Sequence, residues 1–293
     1  MITDPFSKNQ QESPLGNVYQ LIYPSSGLYD NVYISARYEA EILSHITALY
    51  LKNYELFKPP LYLAIEGAAG EGKTSQVLAT SILHGIIILY ASAAQLSGKT
   101  EGDSLQRMKR LYDDAVKIRS QGKVVAIVLD DFHMSDASMS DNVERTINST
   151  LLTGYLMNLT EKPFSEQIPV ILTGNDFSSV YAPLLRSGRA NMLIWQLTTE
   201  EKNTIKKAIL MEFCALKPQE YSTFLSSILK STVADVAQLK NDYRNYYLKK
   251  ELSKITIIDQ KILNELDYKI ALHGKCDYRT LCELGKKRGL LHG

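Results

Sequence analysis

Eight consecutive residues, Gly67-Ala68-Ala69-Gly70-Glu71-Gly72-Lys73-Thr74, combine backbone freedom, a cation and a hydroxyl in the spacing G-x-x-x-x-G-K-[ST]. The chemistry suited to such a stretch is capture of a polyphosphate. Glycines let successive N–H groups turn toward one anion, Lys73 supplies charge to the β/γ-phosphates, and the Thr74 hydroxyl is placed for Mg²⁺. Ser75 opens the turn that follows and completes the set of nucleotide-binding candidates. Further along, Asp130-Asp131 close an apolar run. One acid there orients Mg²⁺ and its water and the next polarises an attacking water, so Asp130 is assigned to the metal and Asp131 to the water. In Leu172-Thr173-Gly174-Asn175-Asp176 the amide of Asn175 is placed to hydrogen-bond that water without adding charge. Arg186 and Arg189 can stabilise charge on the γ-phosphoryl, and arginines this far from the loop serve best in a neighbouring subunit's site. Each group has an ordinary alternative: acids capping a strand, a Gly-Asn turn, solvated surface arginines. Their order after the phosphate loop favours the chemical reading.

The elements that must position these groups follow from hydrophobic patterning. Leu61 to Ile65, Ile86 to Tyr90, Val124 to Leu129, Ile168 to Thr173 and Met192 to Trp195 are short apolar runs of the kind expected of strands. Helical segments alternate with them, from about Ile34 to Tyr50, after Thr74, and over about 104–121 and 140–159. Alternation of this kind predicts right-handed βαβ units and a parallel sheet. From Thr198 onward the pattern changes, and 200–216, 220–230, 233–248 and 258–271 all read as helices. The expected organisation is a polar arm or linker over 1–28, an α/β nucleotide-binding domain over 29–196 and a helical domain over 197–293.

Composition adds bounds. At 293 residues the chain is long enough for two domains, and a formal net charge of +1 argues neither for nor against an acidic or basic partner. Three cysteines, Cys214, Cys276 and Cys282, without C-x-x-C spacing suit a reducing compartment. With no apolar run of membrane-spanning length and no signal-like start, the expectation is a soluble, cytoplasmic protein with no membrane partner.

Taken together, the phosphate loop, acid pair, Asn-ended strand, paired arginines and helical C-terminal part resemble the AAA+ ATPases. Within them, the segment from Pro169 to Arg189 is similar to the corresponding stretch of Rubisco activases. So are Ser92-Ala93-Ala94-Gln95-Leu96 followed by Gly98, and Ile147 to Thr150 with Leu156 to Leu159. Gly27-Leu28-Tyr29 and Tyr33-Ile34 resemble the segment that lies near adenine in that family. The resemblance covers about residues 27 to 215. It implies an AAA+ P-loop core with a parallel five-stranded sheet sandwiched by helices, plus a small all-helical C-terminal lid. It also implies Mg²⁺-dependent hydrolysis of ATP to ADP in a ring-like homo-oligomer, hexameric by family resemblance. Tyr33 and Ile34 would then lie beside the base; Asp235 to Lys240 resembles the lid helix that carries a nucleotide-sensing arginine in the family, with Lys240 or Arg244 as its candidates here. Arg186 and Arg189 would reach the neighbour's nucleotide, and the loop Leu96 to Gly102 would line a central pore and pull on a protein substrate.

Departures from the family accompany the match. The expected arm is too short to supply the extra N-terminal domain of plant-type activases, so Rubisco is only a candidate substrate. Phe132-His133-Met134-Ser135-Asp136 replaces a small, glycine-rich segment, and His133 is left out of the catalytic set. Tyr243, Tyr246 and Tyr247 with Lys249 and Lys250 read as lid core and surface, so nucleic acid is not indicated. The rival reading is an ATP-controlled assembly or binding module, acting with nucleic acid, in which nucleotide state regulates association and nothing is threaded.

Overall fold

The structure is a computed structural model, and it describes residues 18–24, 32–97, 100, 102–132, 143–178, 180, 182–255, 259–271 and 275–291. Contacts divide the chain into two units. One comprises Met1–Asp30, Ile34–Ala68 and Lys73–Gln196; the other comprises Asn31–Tyr33, Ala69–Gly72 and Leu197–Gly293.

In the first unit the chain runs β1 (Gln20–Ile22), α1 (Ala36–Ala48), a 3-10 segment Lys52–Phe57, β2 (Tyr62–Glu66), α2 (Lys73–Leu83), β3 (Ile87–Ser92), α3 (Ala93–Leu96), α4 (Asp103–Ser120), β4 (Val125–Asp130), α5 (Val143–Leu159), β5 (Val170–Gly174) and β6 (Ala190–Ile194). The sheet has the order β1-β3-β4-β5-β2-β6. β2 to β6 run parallel. The inner strands β2 to β5 carry the continuous apolar runs of strands covered on both faces, whereas the edge strand β6 is exposed at Asn191, Met192 and Ile194. Val125 to Val128 and Val170 to Leu172 are fully buried. Helices are held against the sheet by apolar stripes at helical spacing, Tyr38, Ile42 and Ile46 on α1 and Met108, Leu111 and Ala115 on α4.

The sheet carries six strands rather than the expected five. The added strand is β1, inside the stretch read as a polar arm, and it pairs antiparallel with β3 through Leu21 opposite Leu89. Apart from Gln20, the run Val18 to Tyr23 is apolar and aromatic, but it sits between polar, turn-rich stretches, and the strand pairs with an otherwise open edge. Within the expected loop after β3, Ser92 caps the one-turn helix α3 by exchanging hydrogen bonds with Gln95.

Register sets up the chemistry. Ser92 pairs with Asp130, Leu129 with Leu172, Ile65 with Thr173, and Glu66 with both Gly174 and Ile194. The carboxyl ends of the five parallel strands therefore finish level with one another beside the phosphate loop. Ligands of open α/β sheets are expected at that edge.

The second unit has helices α6 (Thr199–Phe213), α7 (Pro218–Ser227), α8 (Val233–Leu252), α9 (Gln260–Ala271) and α10 (Tyr278–Lys287). Leu210, Phe213, Phe224, Val236, Leu239 and Leu281 form its core. Thr198 and Thr232 start α6 and α8 with capping boxes to Glu201 and Asp235. Lys206, 1% exposed, donates to the carbonyls of Ser231 at 2.7 Å and Ile228 at 3.4 Å, a cation closing the end of α7. Its burial lowers the lysine pKa. No helix among the described residues is long and apolar enough to cross a membrane.

Candidate functional site

The phosphate loop leaves β2 through Gly67, where a side chain has no room. A Cβ there would meet the Trp195 carbonyl oxygen at 2.4 Å and the Trp195 Cβ at 2.9 Å. Trp195 is itself fixed: its ring stacks on Tyr38 with centroids 3.7 Å apart, and its N–H donates to the Glu66 carbonyl at 2.6 Å. Beyond Gly67 the loop curls through Gly70 and Gly72 at φ 73° and 83°, a region that L side chains avoid. Ala68, Ala69 and Gly70 are exposed, and Ser75 follows on the exposed face of α2.

Ala69–Gly72 group with the second unit. There the Glu71 carboxylate, 7% exposed, accepts from Lys202 Nζ at 2.8 Å. The Gly70 carbonyl accepts from the Ala234 N–H at 2.9 Å.

Lys73 begins α2 and is 8% exposed, and its ammonium has three donors to place. It donates to the carbonyls of Gly67 at 2.7 Å and Ala68 at 2.9 Å and to Asn175 Oδ1 at 3.1 Å. The amide predicted from sequence and the loop lysine are thus joined. Thr74 Oγ1 donates to Asp130 Oδ1 at 2.6 Å, and Thr173 Oγ1 donates to the same oxygen at 2.5 Å. The Tyr90 phenol donates to the other oxygen, Oδ2, at 2.7 Å. Carboxylate and hydroxyl oxygens are the hard donors that Mg²⁺ prefers, so the residues present fit that ion.

Asp131 lies just past β4, exposed, with φ 52°. Aspartate tolerates this left-handed conformation better than most residues. Arg186 is exposed, and Arg189, partly buried, donates from a guanidinium nitrogen to the Pro183 carbonyl at 2.9 Å. Neither arginine is joined to the Lys73–Asp130 network among the described residues. Tyr33 and Ile34 are partly buried, and the next residue, Ser35, donates its N–H to Gln76 Oε1 of α2 at 2.9 Å. In the second unit Lys240 is ion-paired with Glu212 of α6.

Gly27 to Tyr29 and His133 to Asp136 lie outside the described residues, as do Gly98, Lys99 and Glu101 of the proposed pore loop. The base of that loop is braced by Arg107 of α4, which donates to the carbonyls of Gln95 at 2.8 Å and Ser97 at 3.0 Å. Sequence reasoning missed Arg107, Thr173 and Tyr90. Thr173 carries a usable signal, since it precedes Asn175 on a strand predicted to lie beside Asp130; the other two carry none.

Comparison with known proteins agrees with this geometry. Residues 63–196 match the model of the ATPase family associated with various cellular activities, AAA. The chain is 29% identical over 199 residues to ribulose bisphosphate carboxylase/oxygenase activase 2, chloroplastic, of Nicotiana tabacum, covering 64% of this chain and 45% of that relative. To the activase of Nostoc sp. it is 26% identical over 250 residues, covering 80% of this chain and 60% of the relative. To the chloroplastic activase of Chlamydomonas reinhardtii it is 28% identical over 199 residues, 64% of this chain and 48% of the relative. The chain therefore spans less than two thirds of the length of these relatives. Parallel sheet, phosphate loop and matched segment converge on one statement: residues 63–196 are an AAA-type α/β core, followed by a helical C-terminal unit, and the chain resembles the Rubisco activases.

Proposed function

We propose that the chain is an ATPase that hydrolyses ATP to ADP with Mg²⁺ in a ring-like homo-oligomer, hexameric by resemblance, and uses the cycle to remodel a protein substrate, with Rubisco the candidate. The observation that carries this reading is the network joining Lys73, Asn175, Thr74, Thr173 and Asp130 at the carboxyl edge of the sheet.

The loop glycines aim backbone N–H groups at the phosphates, and Lys73 exchanges its carbonyl partners for phosphate oxygens. Thr74 and Asp130 would hold Mg²⁺, which would supply neutralisation of the phosphate charge. The Thr74 O–H stays donated to Asp130, which leaves its oxygen lone pair for the metal. Asp131 accepts a proton from the attacking water, Asn175 orients that water, and Tyr33 and Ile34 flank the base. Arg186 and Arg189 act on a neighbouring copy's phosphates, so turnover requires assembly.

The experiment is phosphate release from ATP with and without Mg²⁺, followed by capture with Asp131→Asn. Asparagine also tolerates positive φ, so this variant removes the base and keeps the turn. Stable ATP-bound oligomers that retain a protein, Rubisco being tested directly, are expected. Oligomers that retain only nucleic acid, or that form without any turnover by the unsubstituted chain, would instead favour the assembly-module reading.

A further inference from the structure

The Asp130 carboxylate is held by more groups than the assigned site requires. Thr74 and Thr173 donate to Oδ1, whereas the phenol of Tyr90 donates to Oδ2 at 2.7 Å. Tyr90 belongs to β3, where it pairs with Val128 while Ser92 pairs with Asp130. Residues two apart on a strand share a face, so Tyr90 and Asp130 are diagonal neighbours and a long side chain can cross between them. An ionised carboxylate offers about four lone-pair positions. Hydroxyls from α2, β5 and β3 fill three of them, each from a separately anchored element, and fix both the plane and the rotation of the group.

We propose that Tyr90 is a positioning residue for the metal: it pins Oδ2 so that the one remaining lone-pair direction of Asp130 receives a water of the Mg²⁺ shell. Mg²⁺ demands near-ideal octahedral geometry and keeps several of its waters, so a carboxylate acting through such a water must be held in orientation as well as in place. Partners behind a metal-binding carboxylate typically influence metal affinity by about 10- to 100-fold. Tyr90 is only partly buried, and its ring survives removal of the hydroxyl. The proposal rests on the Mg²⁺–nucleotide site proposed above.

The test is Tyr90→Phe, read by equilibrium binding of a fluorescent ADP analogue during Mg²⁺ titration and again in EDTA, with thermal melting alongside. The expected result is a rise of about tenfold in the Mg²⁺ concentration at half-effect, with unchanged affinity in EDTA, an unchanged melting temperature and near-normal turnover at saturating Mg²⁺. An unshifted Mg²⁺ midpoint overturns the proposal. So does a loss of nucleotide affinity equal with and without metal, which marks a structural role. A flat Mg²⁺ titration in the unsubstituted chain overturns the metal site itself, and is distinguished from failure of Tyr90 alone by appearing before any substitution.

Discussion

Two parts of the first unit carry the charges of the proposed chemistry, and they are built in opposite ways. At Lys73 and Asp130 the ammonium, the Asp130 carboxylate and the hydroxyls of Thr74, Thr173 and Tyr90 each have a partner, and Lys73 is 8% exposed. At the arginines, Arg186 is exposed and Arg189 is partly buried, with one bond from Arg189 to a backbone carbonyl and no ion pair among the described residues. Lys73 and Arg189 are both held by neutral oxygens; what differs is that Lys73 is enclosed while Arg186 lies open to solvent. The first cluster is furnished by the chain for itself. The second carries cations with no acidic partner among the described residues.

The sharpest way to break this contrast is to remove the arginine charges. Arg186→Ala or Arg189→Ala is expected to slow ATP turnover about a thousandfold while nucleotide affinity stays within about twofold. Mixing either variant with Lys73→Ala subunits should restore activity, because one copy then supplies the loop and the other the arginine. Full turnover by the arginine variants, or no restoration on mixing, would erase the distinction.

Acid provides the control that strikes both parts together. Burial of His45 on α1 lowers its pKa from 6.5 to about 4, outweighing a hydrogen bond to the Val170 backbone. The folded form therefore resists a proton that the unfolded chain accepts. Stability from this residue is complete above pH 6.5 and declines as pH falls toward 4, by about 3 kcal/mol in all. Denaturant midpoints measured across that window should fall, and His45→Leu should flatten the dependence. Lys73→Ala, by contrast, is expected to weaken ATP binding about a hundredfold at constant stability, as titration with a fluorescent analogue would show. Smallest is Lys202→Met, which leaves Glu71 without its salt bridge. With the lysine a third exposed, a change of about threefold in ATP affinity is expected, and a change above about thirtyfold would mean the pair is part of the site.

What could be read from sequence was whatever is specified locally. Gly67 to Thr74 is constrained at each fixed position, and the inner strands advertise burial on both faces through unbroken apolar runs, so loop, strands and the level of Asp130 and Asn175 were all legible. β1 was not, because Gln20 to Ile22 become a strand only when β3 offers its edge. Tyr90 was not, because its bond to Asp130 depends on the register of two strands separated by α3 and α4. Lys240 was named from its helix position alone, and its ion pair with Glu212 is a long-range contact that a sequence does not display.

The contact of Gly67 with Trp195 has a mechanical consequence. β6 runs alongside β2 over its whole length, from the Tyr62 N–H on the Arg189 carbonyl at 3.0 Å to the Trp195 N–H on the Glu66 carbonyl at 2.6 Å. Trp195 leaves the foot of the phosphate loop no room for a residue larger than glycine, so Gly67→Ala would have to displace Trp195 and, with it, the stack on Tyr38.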